Sequence, residues 1–289
     1  MARIHDSVTT FPITSVTVEG ISQEDDELSI EDPLQIVVSV PQGNRIVDHQ
    51  IAVTMRTPGD DAALTAGFLL TEGILNRVED LSDLKVESAN LVRAILAPTA
   101  NVDLSRLERS SFVSSSCGVC GKRSISSVFC QIPYRLTTGV PQISKEILFS
   151  LNQAQRTAQP AFARTGSIHA AALFNTTGQL CSLFEDVGRH NALDKLIGTE
   201  LLANRLPLRD KILFLSGRAS FELIQKSAMA GIPITAAVGA PSSLAVELAR
   251  QCQMTLCGFV RDNRFNIYSD AGRILDLETS TKGSSELTF

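Results

Sequence analysis

Several things are missing from this 289-residue chain, and each absence narrows what it can be. No apolar run approaches the roughly 20 residues that a bilayer-spanning helix needs. The opening Met1-Ala2-Arg3-Ile4-His5-Asp6 mixes charge with polarity where a secretory leader places a long apolar stretch. A cytoplasmic protein with no membrane partner is therefore expected. Basic excess is missing too: 26 Lys and Arg stand against 31 Asp and Glu, a net charge of −5. Phosphate backbones select basic surfaces, so nucleic acid is excluded as a general partner, and any anionic ligand must meet a local basic site. Internal repeats and low-complexity tracts are absent, and only residues 279–285 have the composition of a frayed end. The six cysteines, at 117, 120, 130, 181, 252 and 257, contain a single C-x-x-C, and there is no H-x-x-x-H to complete a zinc set. In a reducing compartment they are expected as thiols, so their even number does not argue for a disulfide framework.

What is present is enough to fold. With 44% hydrophobic residues, the chain is long enough for one large domain or two smaller ones, each with a core. An apolar, β-branched run at 34–40, turn chemistry in Pro41-Gln42-Gly43-Asn44 and a returning run at 46–55 predict a hairpin. Pro58-Gly59-Asp60-Asp61 then offers a capping carboxylate before a helix over 62–74, and strand-like alternation returns over 84–96. This reads as a small α+β domain, 1–113, that ends in a connection leading to the serines at 114–116. Beyond it, strands at 167–174 and 180–184 flank a turn. Helices at 191–202, 221–230 and 242–251 then alternate with strands at 211–215, 232–238, 255–260 and 265–268. Such alternation predicts an α/β domain, 114–289, with a mostly parallel sheet covered by helices.

The most informative stretch is Ser114-Ser115-Ser116-Cys117-Gly118-Val119-Cys120-Gly121-Lys122-Arg123. Small and polar residues before the cysteines, and glycines within and after them, describe a mobile, solvent-reachable loop that presents two thiols. A free thiol titrates near about 8.5; a neighbouring Lys or Arg lowers that value and fills the thiolate state, the nucleophile and metal ligand. Half of a zinc site and a thioredoxin-type redox pair are the rival readings of this motif. Cys130, Cys181, Cys252 and Cys257 lie in apolar or strand-like context and read as packing residues.

In open α/β sheets, ligands bind beyond the carboxyl ends of the strands. Three loops there are suited to it. Ser216-Gly217-Arg218-Ala219-Ser220 combines backbone N–H groups, hydroxyls and a guanidinium at a helix start, and Gly239-Ala240-Pro241-Ser242-Ser243 repeats this without the cation. The third, with Phe259, Val260, Arg261, Asp262, Asn263 and Arg264, offers guanidinium to phosphate, an aromatic to a flat base and a carboxylate to a sugar hydroxyl or base edge. Its plainer reading is a hairpin tip with solvated charges. The run from Glu185 to Lys195 crowds ionisable groups at a strand end and helix start, which reads equally as a capped helix with internal ion pairs. His169 and His190 are candidate acid/base groups, the first also a candidate hydrogen-bonded core residue.

Several separated segments, in order, resemble the FdhD family of sulfurtransferases, accessory proteins of formate dehydrogenase. They are Met55-Arg56-Thr57-Pro58-Gly59-Asp60-Asp61, Gly67-Phe68-Leu69-Leu70-Thr71-Glu72-Gly73, Ser116-Cys117-Gly118-Val119-Cys120-Gly121-Lys122, Thr165-Gly166-Ser167-Ile168-His169-Ala170-Ala171-Ala172 and residues 185–198, 216–223 and 258–268. The resemblance implies a protein that accepts sulfane sulfur from a cysteine desulfurase as a persulfide. It would pass that sulfur to a molybdenum or tungsten bis(molybdopterin guanine dinucleotide) cofactor destined for the formate dehydrogenase catalytic subunit. It maps the persulfide on Cys117, leaves Cys120 to protect, relay or discharge it, and maps cofactor binding on residues 259–264. It also implies a homodimer and a cytidine-deaminase-like αβα fold for the larger domain. Deaminase activity is not implied, because H-x-E followed by P-C-x-x-C is absent: Ala170 and Ala171 follow His169, and Ser116 precedes Cys117. The rival classes are a non-enzymatic cofactor carrier with thiol metal ligands and, third, an oxidoreductase using a Cys117/Cys120 disulfide. Since a second ligand pair is missing, protein purified under reducing conditions without added metal should carry well under one equivalent of zinc by mass spectrometry of the intact chain. Stoichiometric zinc whose removal unfolds the protein would favour a structural metal site instead.

Overall fold

The computed structural model describes residues 7–43, 45–100, 102 and 132–277. Cys117, Cys120 and Cys130, the cations Lys122 and Arg123 and the expected frayed tail lie outside the described residues. No helix among those described is long and apolar enough to cross a membrane.

The chain opens with an antiparallel hairpin that the sequence analysis does not foresee, β1 (Val8–Thr17) and β2 (Gly20–Ser29). The expected hairpin follows as β3 (Asp32–Gln42) and β4 (Arg45–Arg56). Helix α1 (Asp61–Thr71) comes next, then a 3-10 turn over Val78–Asp80. The alternating stretch at 84–96 resolves into two strands, β5 (Leu81–Ser88) and β6 (Leu91–Leu96). These strands form a sheet of order β4-β3-β6-β5. The expected capping carboxylate is not used as a cap: Asp60 makes no side-chain capping bond, and Asp61 instead accepts from buried Arg56 at 2.8 and 2.9 Å. A guanidinium buried to 1% exposure needs that carboxylate, and the carbonyls of Asp32 and Ala89 each accept a further bond from it.

The second region begins with the short β7 (Ile143–Ser144), α2 (Lys145–Thr157) and α3 (Pro160–Thr165). It continues through β8 (His169–Asn175), β9 (Leu180–Asp186), α4 (Arg189–Leu202), β10 (Lys211–Leu215) and α5 (Phe221–Met229). It closes with β11 (Ile234–Ala237), α6 (Ser243–Gln251), β12 (Thr255–Arg261), β13 (Arg264–Ser269) and β14 (Ile274–Leu275). The six-stranded sheet has the order β13-β12-β11-β10-β8-β9. It is mixed and not mostly parallel: only β10–β11 and β11–β12 run parallel. The physical reason lies in the connections. β8–β9 and β12–β13 are joined by turns far too short for a parallel crossover, so each is a hairpin that adds an antiparallel edge.

Alternation along the strands assigns the two faces of this sheet. Ile212 and Phe214 pack with Leu148 and Leu151 of α2, while Leu213 and Leu215 pack with Leu193, Ile197, Ile224 and Leu248 of α4, α5 and α6. The second cluster runs on without a break into Leu69 and Leu70 of α1 and Ile36 and Val38 of β3. What allows this is the crossing of α1 over α4. A Cβ built on Gly67 would lie 1.9 Å from the Asp194 carbonyl oxygen, and one on Gly198 would lie 1.8 Å from the Ala63 carbonyl oxygen. The two backbones are in contact, and only glycine fits at either position. Gly67→Ala or Gly198→Ala must force the helices apart, so each is expected to cost about 3 kcal/mol or more in urea unfolding. An unchanged midpoint for both would show that the crossing is not as tight as described.

Candidate functional site

The three loops singled out in the sequence converge. They follow neighbouring strands β10, β11 and β12, and backbone bonds sew them together. Gly239 N–H donates to the Gly217 carbonyl at 2.9 Å, Ala219 to Ala240 at 3.2 Å, Ser242 to Ala219 at 3.1 Å and Phe259 to Gly239 at 3.2 Å. The packing is close enough to demand glycine at 239, where a Cβ would come within 2.9 Å of Arg218 Cγ and 3.0 Å of the Gly217 carbonyl oxygen.

Asp262 and Asn263 form a two-residue turn between β12 and β13, with Arg261 opposite Arg264. The plainer reading describes Asp262, Asn263 and Arg264, all exposed at a hairpin tip. Arg261 differs: its Nη1 donates to the carbonyls of Val238 and Val260 at 2.8 and 2.7 Å, fixing the hairpin against the end of β11. Val260 is buried, whereas Phe259, at φ 52°, turns a 37% exposed ring outward. Asp262 Oδ1 accepts from Asn152 Nδ2 of α2 at 3.3 Å.

Beside this hairpin lies a cleft of about 400 Å³ whose walls include Asn152, Arg156, Phe162, His169, Ser216 and Val238. His169 reaches it because β8 runs antiparallel to β10, which brings the start of β8 to the carboxyl end of β10. There Ala170 N–H donates to Ser216 Oγ at 2.8 Å. His169 is half-buried against Gly217, and burial, assisted by the charge of Arg189, holds its imidazole below the ordinary histidine value. The contributions of α2 and α3 are what the sequence analysis misses; the spacing of Leu148, Leu151 and Gln155 in 145–157 is the signal that would have found α2. Glu185 secures α3 by accepting from the N–H groups of Ala161 and Phe162 at 2.9 and 2.8 Å.

The crowded run 185–195 is structural. Asp186 and Lys195 pair at 2.8 Å with almost no exposure, and Asp186 also accepts from Thr57 N–H, Gly188 N–H and Asn191 Nδ2. Lys195 donates to the Thr57 carbonyl at 2.8 Å. Asp194 pairs with Lys226 of α5 at 2.8 Å and accepts from Thr71 Oγ1 at 2.9 Å. Burial pushes both carboxyls up in pKa while the ammonium partners pull them down. His190 Nε2 stands 4.0 Å from Glu222, outside the cleft's lining. Of the cysteines read as packing residues, Cys257 is buried, with its thiol pushed up to about 12, and Cys252 is half-buried. Cys181 is exposed, because it lies on edge strand β9. Among the described residues, no group of three or more His, Cys, Asp or Glu side chains is placed to hold a metal.

Residues 30–275 match the model of the FdhD/NarQ family. The chain belongs to that family. It is 44% identical over 265 residues to a protein of Streptomyces avermitilis named sulfur carrier protein FdhD, covering 88% of this chain and 91% of that one. A protein of the same name from Picrophilus torridus is 43% identical over 250 residues, 86% of this chain and 92% of the relative. The crystal structure of a candidate formate dehydrogenase accessory protein from Desulfotalea psychrophila superposes with a TM-score of 0.70 at 25% identity, covering 93% of this chain and 99% of that one.

In this FdhD/NarQ member the depressed imidazole of His169 predicts an acid sensitivity. Folded protein resists the proton that the unfolded chain accepts near pH 6.5, so the stability is intact above that value and is lost as pH falls through the folded pKa. His169→Gln should therefore lose less stability than wild type between neutral pH and about pH 5 in urea titrations, the window set by the ordinary histidine value. Identical pH slopes would assign the imidazole an ordinary environment.

Proposed function

We propose that this protein is a sulfurtransferase serving formate dehydrogenase in the cytoplasm. Cys117 takes sulfur from a cysteine desulfurase and delivers it to a molybdenum or tungsten bis(molybdopterin guanine dinucleotide) cofactor, which is substrate and cargo here. The observation that carries this reading is the sewing of three loops, 216–220, 239–243 and the 259–264 hairpin, into one cradle, in a chain whose relatives are named sulfur carriers. Exchange is balanced: the Cys117 thiolate attacks the terminal sulfur of the donor persulfide, the donor cysteine leaves as thiolate, and Cys117 becomes the persulfide. Lys122 and Arg123, next in sequence, favour the attacking thiolate, and Gly118 and Gly121 allow the reach. Cys120 protects, relays or helps discharge the sulfur.

At the receiving end, Arg264 faces the nucleotide phosphates, Phe259 offers its ring to the guanine and Asp262 its carboxylate to a sugar or base edge. Val260 and Asn263 hold the turn, and Arg261 braces it on the Val238 carbonyl just past β11. With this reading go the homodimer, the cytidine-deaminase-like layout of the larger unit and a division of the chain at 113/114.

Incubation with a desulfurase and cysteine, followed by intact-mass measurement, tests the assignment. Wild type should gain one sulfur atom and Cys117→Ala none, with formate dehydrogenase activation lost in parallel and Cys120→Ala affected less. Full sulfur uptake by the Cys117 variant would remove the nucleophile, and an unmodified wild type that still binds cofactor would favour a carrier without transfer chemistry.

A further inference from the structure

The cleft beside the hairpin differs chemically from the hairpin itself. Among the described residues no Asp or Glu lines it: its walls are Asn152, Gln155, Gln159, Ser167, Ser216, His169 and apolar or glycine positions, with Arg156 as the one charged side chain among them. Arg156 lies 5.8 Å from the centre of the Phe162 ring, so a flat aromatic surface and a guanidinium face the same space. The half-buried His169 imidazole, neutral at physiological pH, offers one ring nitrogen as donor and the other as acceptor. At about 400 Å³ the cleft is the size that encloses one heterocyclic unit, far less than a pair of dinucleotides. It also opens onto the nucleotide hairpin. Asn152 in its wall donates to Asp262, and the carbonyl of Val238, another wall residue, accepts from Arg261.

We propose that this cleft holds the pterin end of the cargo, with Arg156 and His169 as the residues that select it, while the hairpin holds a guanine nucleotide. The inference rests on the cofactor reading above and deepens it. A pterin is flat, rich in ring nitrogens and amide-like edges, and linked here to a phosphate and a sulfur-bearing arm. Phe162 supplies the apolar face, His169 and Ser216 meet edge donors and acceptors, and Arg156 takes the negative charge. The two ends of one ligand are thereby read by different side chains, from α2 and β8 in one case and from the β12–β13 turn in the other.

Binding of two probes separates these assignments: pterin-6-carboxylate, followed by its own fluorescence, and guanosine diphosphate, followed by calorimetry. Wild type should bind both at once. Arg156→Ala, at an exposed helix position, and His169→Ala should each weaken the pterin probe about tenfold or more and leave guanosine diphosphate unchanged. Arg264→Ala should do the reverse. Absence of pterin binding to wild type, or equal pterin affinity in Arg156→Ala and His169→Ala, overturns the cleft assignment even if the nucleotide binds. Pterin binding that survives while wild type fails to bind guanosine diphosphate keeps the cleft and overturns the nucleotide hairpin. The thermal midpoint of each variant separates lost contacts from lost folding.

Discussion

Two helices touch backbone to backbone, and most of the molecule's order depends on that contact. Gly67 and Gly198 let α1 lie on α4 with no side chain between them. The approach puts the polar atoms of the two regions within hydrogen-bond reach, which is why Thr71 meets Asp194 and the Lys195 ammonium meets the Thr57 carbonyl. Two buried ion pairs are then tolerable, because each charge finds its partner and additional hydrogen bonds in a setting where an unpaired one costs several kcal/mol. Close packing permits the polar network, and the network in turn fixes the register of the crossing.

The segments that recur in the FdhD/NarQ resemblance therefore divide by physical role. Residues 55–61, 67–73 and 185–198 supply the frame: Arg56 with Asp61, Thr57 with Asp186 and Lys195, Gly67 with the α4 backbone. Residues 165–172, 216–223 and 258–268 reach the carboxyl ends of the central strands, where backbone bonds between loops make one concave edge. The antiparallel pairing of β8 with both β10 and β9 places His169 at the cleft.

Local signals in the sequence locate the hairpin β3–β4, α1, the alternating strands and helices after 167, and the three loops that meet at the site. They work because each is short-range, such as a turn flanked by apolar runs or a glycine-led loop after a strand. Sheet direction differs from the expected, mostly parallel one because helices between strands suggest parallel pairing, while the tight turns after Asn175 and Arg261 dictate hairpins at both sheet edges. Buried Arg56 and Arg273 were invisible for a different reason. Besides nearby Asp61, Arg56 reaches the distant carbonyls of Asp32 and Ala89, and Arg273 reaches those of Thr137, Val140 and Gln253; no local pattern announces such carbonyl partners. The wall of the cleft has no such local signal, because Asn152 and Arg156 of α2 meet the site only through tertiary packing.

The β1–β2 hairpin stands apart from this frame. At its base, Val8 packs with Ala161 and Ile168, Ser29 bonds Thr165, and Glu27 bonds Arg164, whereas Val16, Val18 and Ile21 near the turn are exposed. A two-stranded ribbon is barely stable by itself in water, so this one stands or falls with those few basal contacts. Its amides are thus expected to exchange with solvent through a local opening well below the free energy of global unfolding, on a separate rung from the glycine-locked centre. The acidic run Glu24-Asp25-Asp26-Glu27 gives that open arm a further property. Its like charges oppose edge-to-edge pairing with other copies, so the ribbon can remain unpaired without becoming a seed for aggregation.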